Sequence, residues 1–136
     1  MQIEIRDDIT IDEVRTAFSV HYPFLKIEFY DDAHKPHEKS LPEHLISYSK
    51  TIGDVRKKHP LSAIEIHSWQ KTRDVEQNFR KQFGLFVQIF RMQANRWVQI
   101  VGSDELTLEE QNEIGRSESE QYLNNTATTF ELEKPL

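Results

Sequence analysis

Two stretches of the chain, 3–30 and 64–91, carry the same pattern in the same order. The first runs Ile3-Glu4-Ile5, then Thr10 to His21 with an apolar face, then Leu25-Lys26-Ile27-Glu28-Phe29. The second runs Ile64-Glu65-Ile66, then Thr72 to Phe83, then Val87-Gln88-Ile89-Phe90. Laid side by side without gaps, Ile3, Glu4, Ile5, Val14, Phe18 and Phe29 fall on Ile64, Glu65, Ile66, Val75, Phe79 and Phe90, six identities in 28 positions. Each copy also switches from strand to helix periodicity and back at the same places. Such a chain is expected to be α+β, and two strand-helix-strand units suggest a ferredoxin-like split βαβ sandwich with an extra C-terminal hairpin strand and a short helix. A β-grasp-like arrangement is the alternative, since one helix opening with Thr-Ile-Asp-Glu-Val over a sheet has the same local pattern.

Local signals punctuate the units. Thr10-Ile11-Asp12-Glu13 has the spacing of a capping box, Ile11, Val14 and Phe18 form an apolar stripe, and Pro23 ends the helix. Thr51-Ile52-Gly53-Asp54 reads as a second, short helix start, with Arg56-Lys57-Lys58 on a solvated face and His59-Pro60 as its end. Val87 to Arg91 and Trp97 to Val101 should form a hairpin in which Asn95 takes the left-handed conformation. Thr107-Leu108-Glu109-Glu110 opens a helix that Gly115 is expected to stop.

A chain of 136 residues fits one domain, here 1–115, and residues 116–136 read as a polar, partly disordered tail. With no cysteine there is neither a disulfide framework nor a thiolate metal site. Met1-Gln2 leads directly into a strand pattern, leaving no room for a signal peptide, and no apolar run approaches the roughly 20 residues of a membrane span. The expected location is the cytoplasm. Residues 50–97 hold ten Lys or Arg against four acids, whereas the rest holds seven against 19, for a net charge of −6. Such separation favours an anionic partner for the middle, or acidic ends docked onto it.

The strand after the second helix is apolar on both faces, with Leu85, Val87 and Ile89 on one and Phe86 and Phe90 on the other. The segment Leu106 to Ile114 is expected to fold over Phe86 and Phe90. If it does not, Phe86, Phe90 and Trp97 beside Arg91 and Arg96 form a candidate interaction surface. The long connection 31–49 contains Asp31, Asp32, His34, His37, Glu38, Glu43 and His44, but Pro36 separates the first two histidines and no metal site is assigned. Asp7-Asp8, Asp12-Glu13 and Glu109-Glu110 suit helix N-termini better than catalysis. No serine elbow and no phosphate-cradling glycine loop is present, so neither catalytic residues nor a cofactor are assigned, and an enzyme is the less favoured reading.

Thr51-Ile52-Gly53-Asp54-Val55-Arg56, Phe83 to Arg91, Trp97 and Thr107 to Asn112 together resemble a small uncharacterised family of cytosolic Bacteroidetes proteins. The resemblance spans roughly 1–115 and implies no activity, cofactor or catalytic residue. The leading expectation is a non-enzymatic protein-interaction module, as a homodimer or with another protein. Binding of nucleic acid or another anionic ligand through the basic, aromatic segment 71–97 is the alternative.

Overall fold

The computed structural model describes residues 1–32, 38–56 and 62–133, and of 127–133 the backbone alone. In order these form β1 (Gln2–Ile5), α1 (Ile11–His21), β2 (Leu25–Tyr30), a 3-10 turn (Pro42–His44), α2 (Ile52–Val55), β3 (Ser62–Glu65), α3 (Thr72–Phe83), β4 (Phe86–Gln93), β5 (Arg96–Gln99) and α4 (Leu108–Glu133). The α+β class stands. At the starts of α1 and α2 the threonine hydroxyl and the acid three residues on form reciprocal capping boxes, Thr10 with Glu13 and Thr51 with Asp54. Thr107 and Glu110 make the same exchange at α4, both bonds 3.1 Å. The N-cap of α3, Lys71, makes no side-chain capping bond. Its first amides are satisfied instead by the backbone, Thr72 N–H by Leu106 C=O at 2.9 Å and Arg73 N–H by Asp104 C=O at 3.0 Å.

The strands pair as β1–β3 in one antiparallel sheet and as β2–β4–β5 in a second. The expected ferredoxin-like order would put the four strands of the two units into a single sheet, and one helix over a sheet would make a β-grasp. Neither describes these ladders: β2 lies on β4, and both α1 and α3 pack on that sheet. Side-chain alternation says which face of a strand is buried but is silent about its neighbour. The registers have a further property. Ile3 faces Ile64, Gln2 faces Glu65 and Glu4 faces Ala63, while Leu25 faces Arg91, Ile27 faces Ile89 and Tyr30 faces Phe86. Exchanging every residue of one copy with the residue 61 positions away returns the same pairs, Ile5 with Ser62 mapping onto Ile66 and Met1, which bond just past the ladder. Such pairing obeys a two-fold relation, as between subunits with an isologous interface.

The same relation holds outside the ladders. Ile11 and Asp12 N–H donate to Lys50 and Tyr48 C=O as Thr72 and Arg73 donate to Leu106 and Asp104. Ile52 and Gly53 N–H donate to Ile9 and Asp7 C=O as Leu108 and Glu109 donate to Gln70 and Ser68. One apolar core joins Ile3, Ile5 and Ile64 of the two-stranded sheet, and Ile66 just past it, to Phe18, Phe29, Phe79 and Ile89, with Phe29 and Phe79 edge to face at 5.9 Å.

Three local expectations change. The positive φ of the β4–β5 turn falls on Ala94, at 58°, while Asn95 donates from Nδ2 to the Tyr122 hydroxyl. Arg56 is not on a solvated face: its guanidinium is buried and lies 2.6 Å from Asp7 Oδ1, because α2 brings it down onto the turn after β1. Lys57, Lys58, His59 and Pro60 lie outside the described residues. Finally, α4 runs through Gly115 to Glu133, so 116–133 is helix where the sequence reads as tail.

Gly115 serves close approach instead of termination. A Cβ there would stand 2.9 Å from Phe24 Cβ and 3.2 Å from both Phe24 O and Arg91 Cγ. Gly115→Ala should gain about 1 kcal/mol of helix propensity and lose more to overpacking against backbone, for a net loss of about 1–3 kcal/mol. Denaturant midpoints of the two proteins check this; an unchanged or higher midpoint for the alanine variant would show that α4 can lift off at no cost.

Candidate functional site

Adjacent residues of a strand point to opposite faces, and β4 separates the sequence candidates accordingly. Arg91 shares the inner face with Val87 and Ile89, where its Nη1 donates to Gln111 Oε1 of α4 at 2.6 Å. Arg96 faces Gln93 on that same side, at the exposed end of the hairpin. Phe86, Phe90 and Trp97 are on the outer face, and all three are half-buried. The structure therefore brings the three aromatics together and places the two arginines on the opposite side of the sheet. It also puts α4 against Arg91 and Phe24, where Asn112 Oδ1 accepts the Phe24 N–H at 2.9 Å, and so not over Phe86 and Phe90.

What crosses the outer face is the connection between β2 and α2. Ser40 N–H donates to Gln99 Oε1 at 2.8 Å, Gln99 Nε2 returns a bond to Ser40 C=O at 2.9 Å, and Ser40 Oγ lies 3.3 Å from Gln88 Oε1. Gln88, wholly buried, donates from Nε2 to Ile100 C=O. This strap divides the face in two. On one side Lys26 Nζ stands 4.9 Å and 5.3 Å from the ring centres of Phe90 and Trp97, and 3.3 Å from Glu28 Oε1. On the other, Tyr30 and Phe86 line a cavity of about 390 Å³ with Leu45, Ile46, Lys50 and Asp54. Arg80 lies over Phe86 at 5.4 Å. Lys50 and Arg80 make no ion pair among the described residues.

Glu28 holds the strap's far end. It is buried, and its Oε1 accepts from Arg15 Nη2 and from the Tyr48 hydroxyl, both at 2.9 Å, while the Arg15 guanidinium stacks 3.5 Å from the Tyr48 ring centre. Burial, with Glu28 nearby, pushes the Tyr30 hydroxyl up to about 12, and the same two causes raise Tyr48. Both phenols remain protonated donors. The cluster fastens α1, β2 and the strap, and every partner of Glu28 is spent on that one oxygen.

Some of the charge asymmetry is consumed within the chain. Asp7 takes Arg56, and Glu105 takes both Lys71 and Arg73. In the connection, His44 Nδ1 lies 2.8 Å from Asp31 Oδ1, His34 and His37 fall outside the described residues, and no group of three or more His, Asp or Glu suited to a metal occurs among the described ones. No helix among the described residues is long and apolar enough to cross a membrane.

Exposed apolar side chains that the sequence reading passed over include Leu41, Leu45 and Tyr48 on the strap, Val20 on α1, Tyr122 and Leu123 on α4, and Trp69, which is 68% exposed. A tryptophan between Ser68 and Gln70, just before a helix start, was the available signal for the last. No family model, curated protein or solved structure matches the chain.

Proposed function

We propose that this chain is a non-enzymatic cytoplasmic interaction module, built on a duplicated strand-helix-strand unit and related to the Bacteroidetes proteins it resembles, that associates with a second copy of itself through the outer face of the β2–β4–β5 sheet. The observation that carries this reading is the set Phe86, Phe90 and Trp97, only half-buried on that face, with the exposed Leu45 beside Phe86. Apolar surface left open on both sides of the strap marks contact sites, and its aromatic content suits an interface core. A second copy supplies what the centre of the face needs, an equal set of aromatic side chains. Light scattering over a wide concentration range should show a dimer, and Phe90→Ala with Trp97→Ala should weaken it by about tenfold or more while the thermal midpoint moves little. A strictly monomeric wild type removes the claim.

A nucleic acid is the second reading, favoured by Lys26 and Arg80 lying over aromatic rings. It is weakened by Glu28, which already neutralises Lys26. Binding of single-stranded RNA at low salt, falling steeply as salt is raised, would select it over self-association.

A further inference from the structure

The most exposed aromatic ring of the described residues is not on the sheet at all. Trp69 stands in the turn between β3 and α3, and that turn is rigid. Gln70 Oε1 accepts the His67 N–H at 2.7 Å, Gln70 N–H donates to His67 C=O at 3.0 Å, and the His67 ring stacks on the indole at 5.2 Å and 9°. A large flat ring is thus held in place and left open to solvent, which lowers the ordering cost of anything that stacks on it. It forms one wall of a groove of about 490 Å³ whose other wall is the exposed face of α3, with Asp74, Gln77, Asn78 and Lys81. That volume is within the range of small-molecule sites, about 300–1,000 Å³.

The two-fold relation supplies an internal control. The first half builds the same turn, with the Gly53 N–H to Asp7 C=O bond standing for Glu109 N–H to Ser68 C=O, and in it Asp8 occupies the place of Trp69. The turn therefore needs no indole. Along the helix, Thr16, Ala17 and Val20 occupy the places of Gln77, Asn78 and Lys81. Aromatic platform and carboxamides occur together in the second half alone, on a scaffold that folds without either.

Charge selects the ligand. Lys71 Nζ is 3.1 Å from Glu105, Arg73 pairs with Glu105 and Asp74, and Lys81 has a partner of its own. No cation of the groove is spare for a phosphate, and Asp74 would repel one. The carboxamides of Gln77 and Asn78 each donate and accept, as a hydroxyl does, and Asp74 accepts. We propose that the groove between Trp69 and α3 binds a neutral sugar ring, stacked on the indole and hydrogen-bonded through its hydroxyls to Gln77, Asn78 and Asp74.

The chain has two tryptophans, so its two indole N–H resonances are a reporter at the groove and a control at Trp97. The full chain is titrated with maltotriose, cellotriose and chitotriose, and separately with uridine monophosphate. At least one trisaccharide should shift the Trp69 resonance saturably and leave Trp97 in place. Trp69→Ala and Asn78→Ala should each weaken binding by about tenfold or more, with unchanged thermal midpoints. No saccharide response at about 10 mM, a response indifferent to Asn78→Ala, or a response to uridine monophosphate alone overturns the proposal, the last by assigning the platform to a base.

Discussion

A chain ending after Val101 should fail to fold, precipitating or showing no cooperative thermal transition. The loss starts with Leu108, which is wholly buried and worth about 1.5–3 kcal/mol by burial alone. It continues with the groups left without partners. Thr72 and Arg73 lose the carbonyls of Leu106 and Asp104, Phe24 loses Asn112, and Arg91 loses Gln111. Each orphaned donor costs about 1–3 kcal/mol to the extent that water cannot reach it. Together these reach the lower part of a typical domain stability of about 5–15 kcal/mol. Ending the chain after Arg116 removes peripheral contacts, Tyr122 with Asn95, Ser119 with Ala94 and the exposed Glu120 with Arg116, and should cost about 1 kcal/mol or less. Calorimetry of the two shortened chains decides; a cooperative transition near that of the full chain for the version ending at Val101 would show that α4 is dispensable.

Raising the pH should destabilise the protein through Glu76. This side chain projects from α3 into the core, where Oε2 accepts the N–H of Ile89 at 2.9 Å, a bond that stands in for one β5 does not supply. Burial pushes its carboxyl up to about 8; the Ile89 N–H opposes that shift and nearby Asp104 adds to it. Below the ordinary carboxyl range both folded and unfolded states hold the proton, so stability there is unaffected. Between about 4.5 and 8 the unfolded chain releases it while the folded one keeps it, so stability falls across that window and is flat above it. The full fall is on the order of 4 kcal/mol. Glu76→Gln keeps an acceptor for Ile89 and removes the titration. Urea unfolding at pH about 5 and about 9 should show a steep loss for the wild type and little for the variant, which becomes the more stable protein at the higher pH. Parallel losses in both would place the titration elsewhere.

Features decided by neighbours in sequence were legible there. The cap residues Thr10, Thr51 and Thr107 each sit beside the acid that completes the exchange, and Thr72 to Phe83 runs between Lys71 and Gly84, where φ of 65° closes the helix. Features decided by distant parts were not. Gly115 has the same local signature whether it ends a helix or lets one approach a strand, and only the position of Phe24 distinguishes them. Arg56 looks like any basic residue until α2 sets it on Asp7. The division of the candidate surface was available and missed: Phe90 and Arg91 are consecutive on a strand, so they could not share a face. The strap was not available, because Ser40 reaches Gln88 and Gln99 through a segment with no periodicity of its own.

The pairing of each strand with its counterpart sets a timetable for biosynthesis. Partners in both ladders are separated by roughly 60 positions, from Gln2 with Glu65 to Tyr30 with Phe86. As the chain emerges, β1 and β2 are complete long before β3 and β4 exist, and at ordinary translation speeds the gap lasts about 3–12 seconds. For that interval Leu25, Ile27 and Phe29, all fully buried in the finished protein, have neither a strand beside them nor α3 above them. For those seconds the first half presents apolar side chains of the kind that holding chaperones bind, and slowing the ribosome between residues 31 and 85 would lengthen that exposure without altering a single native contact.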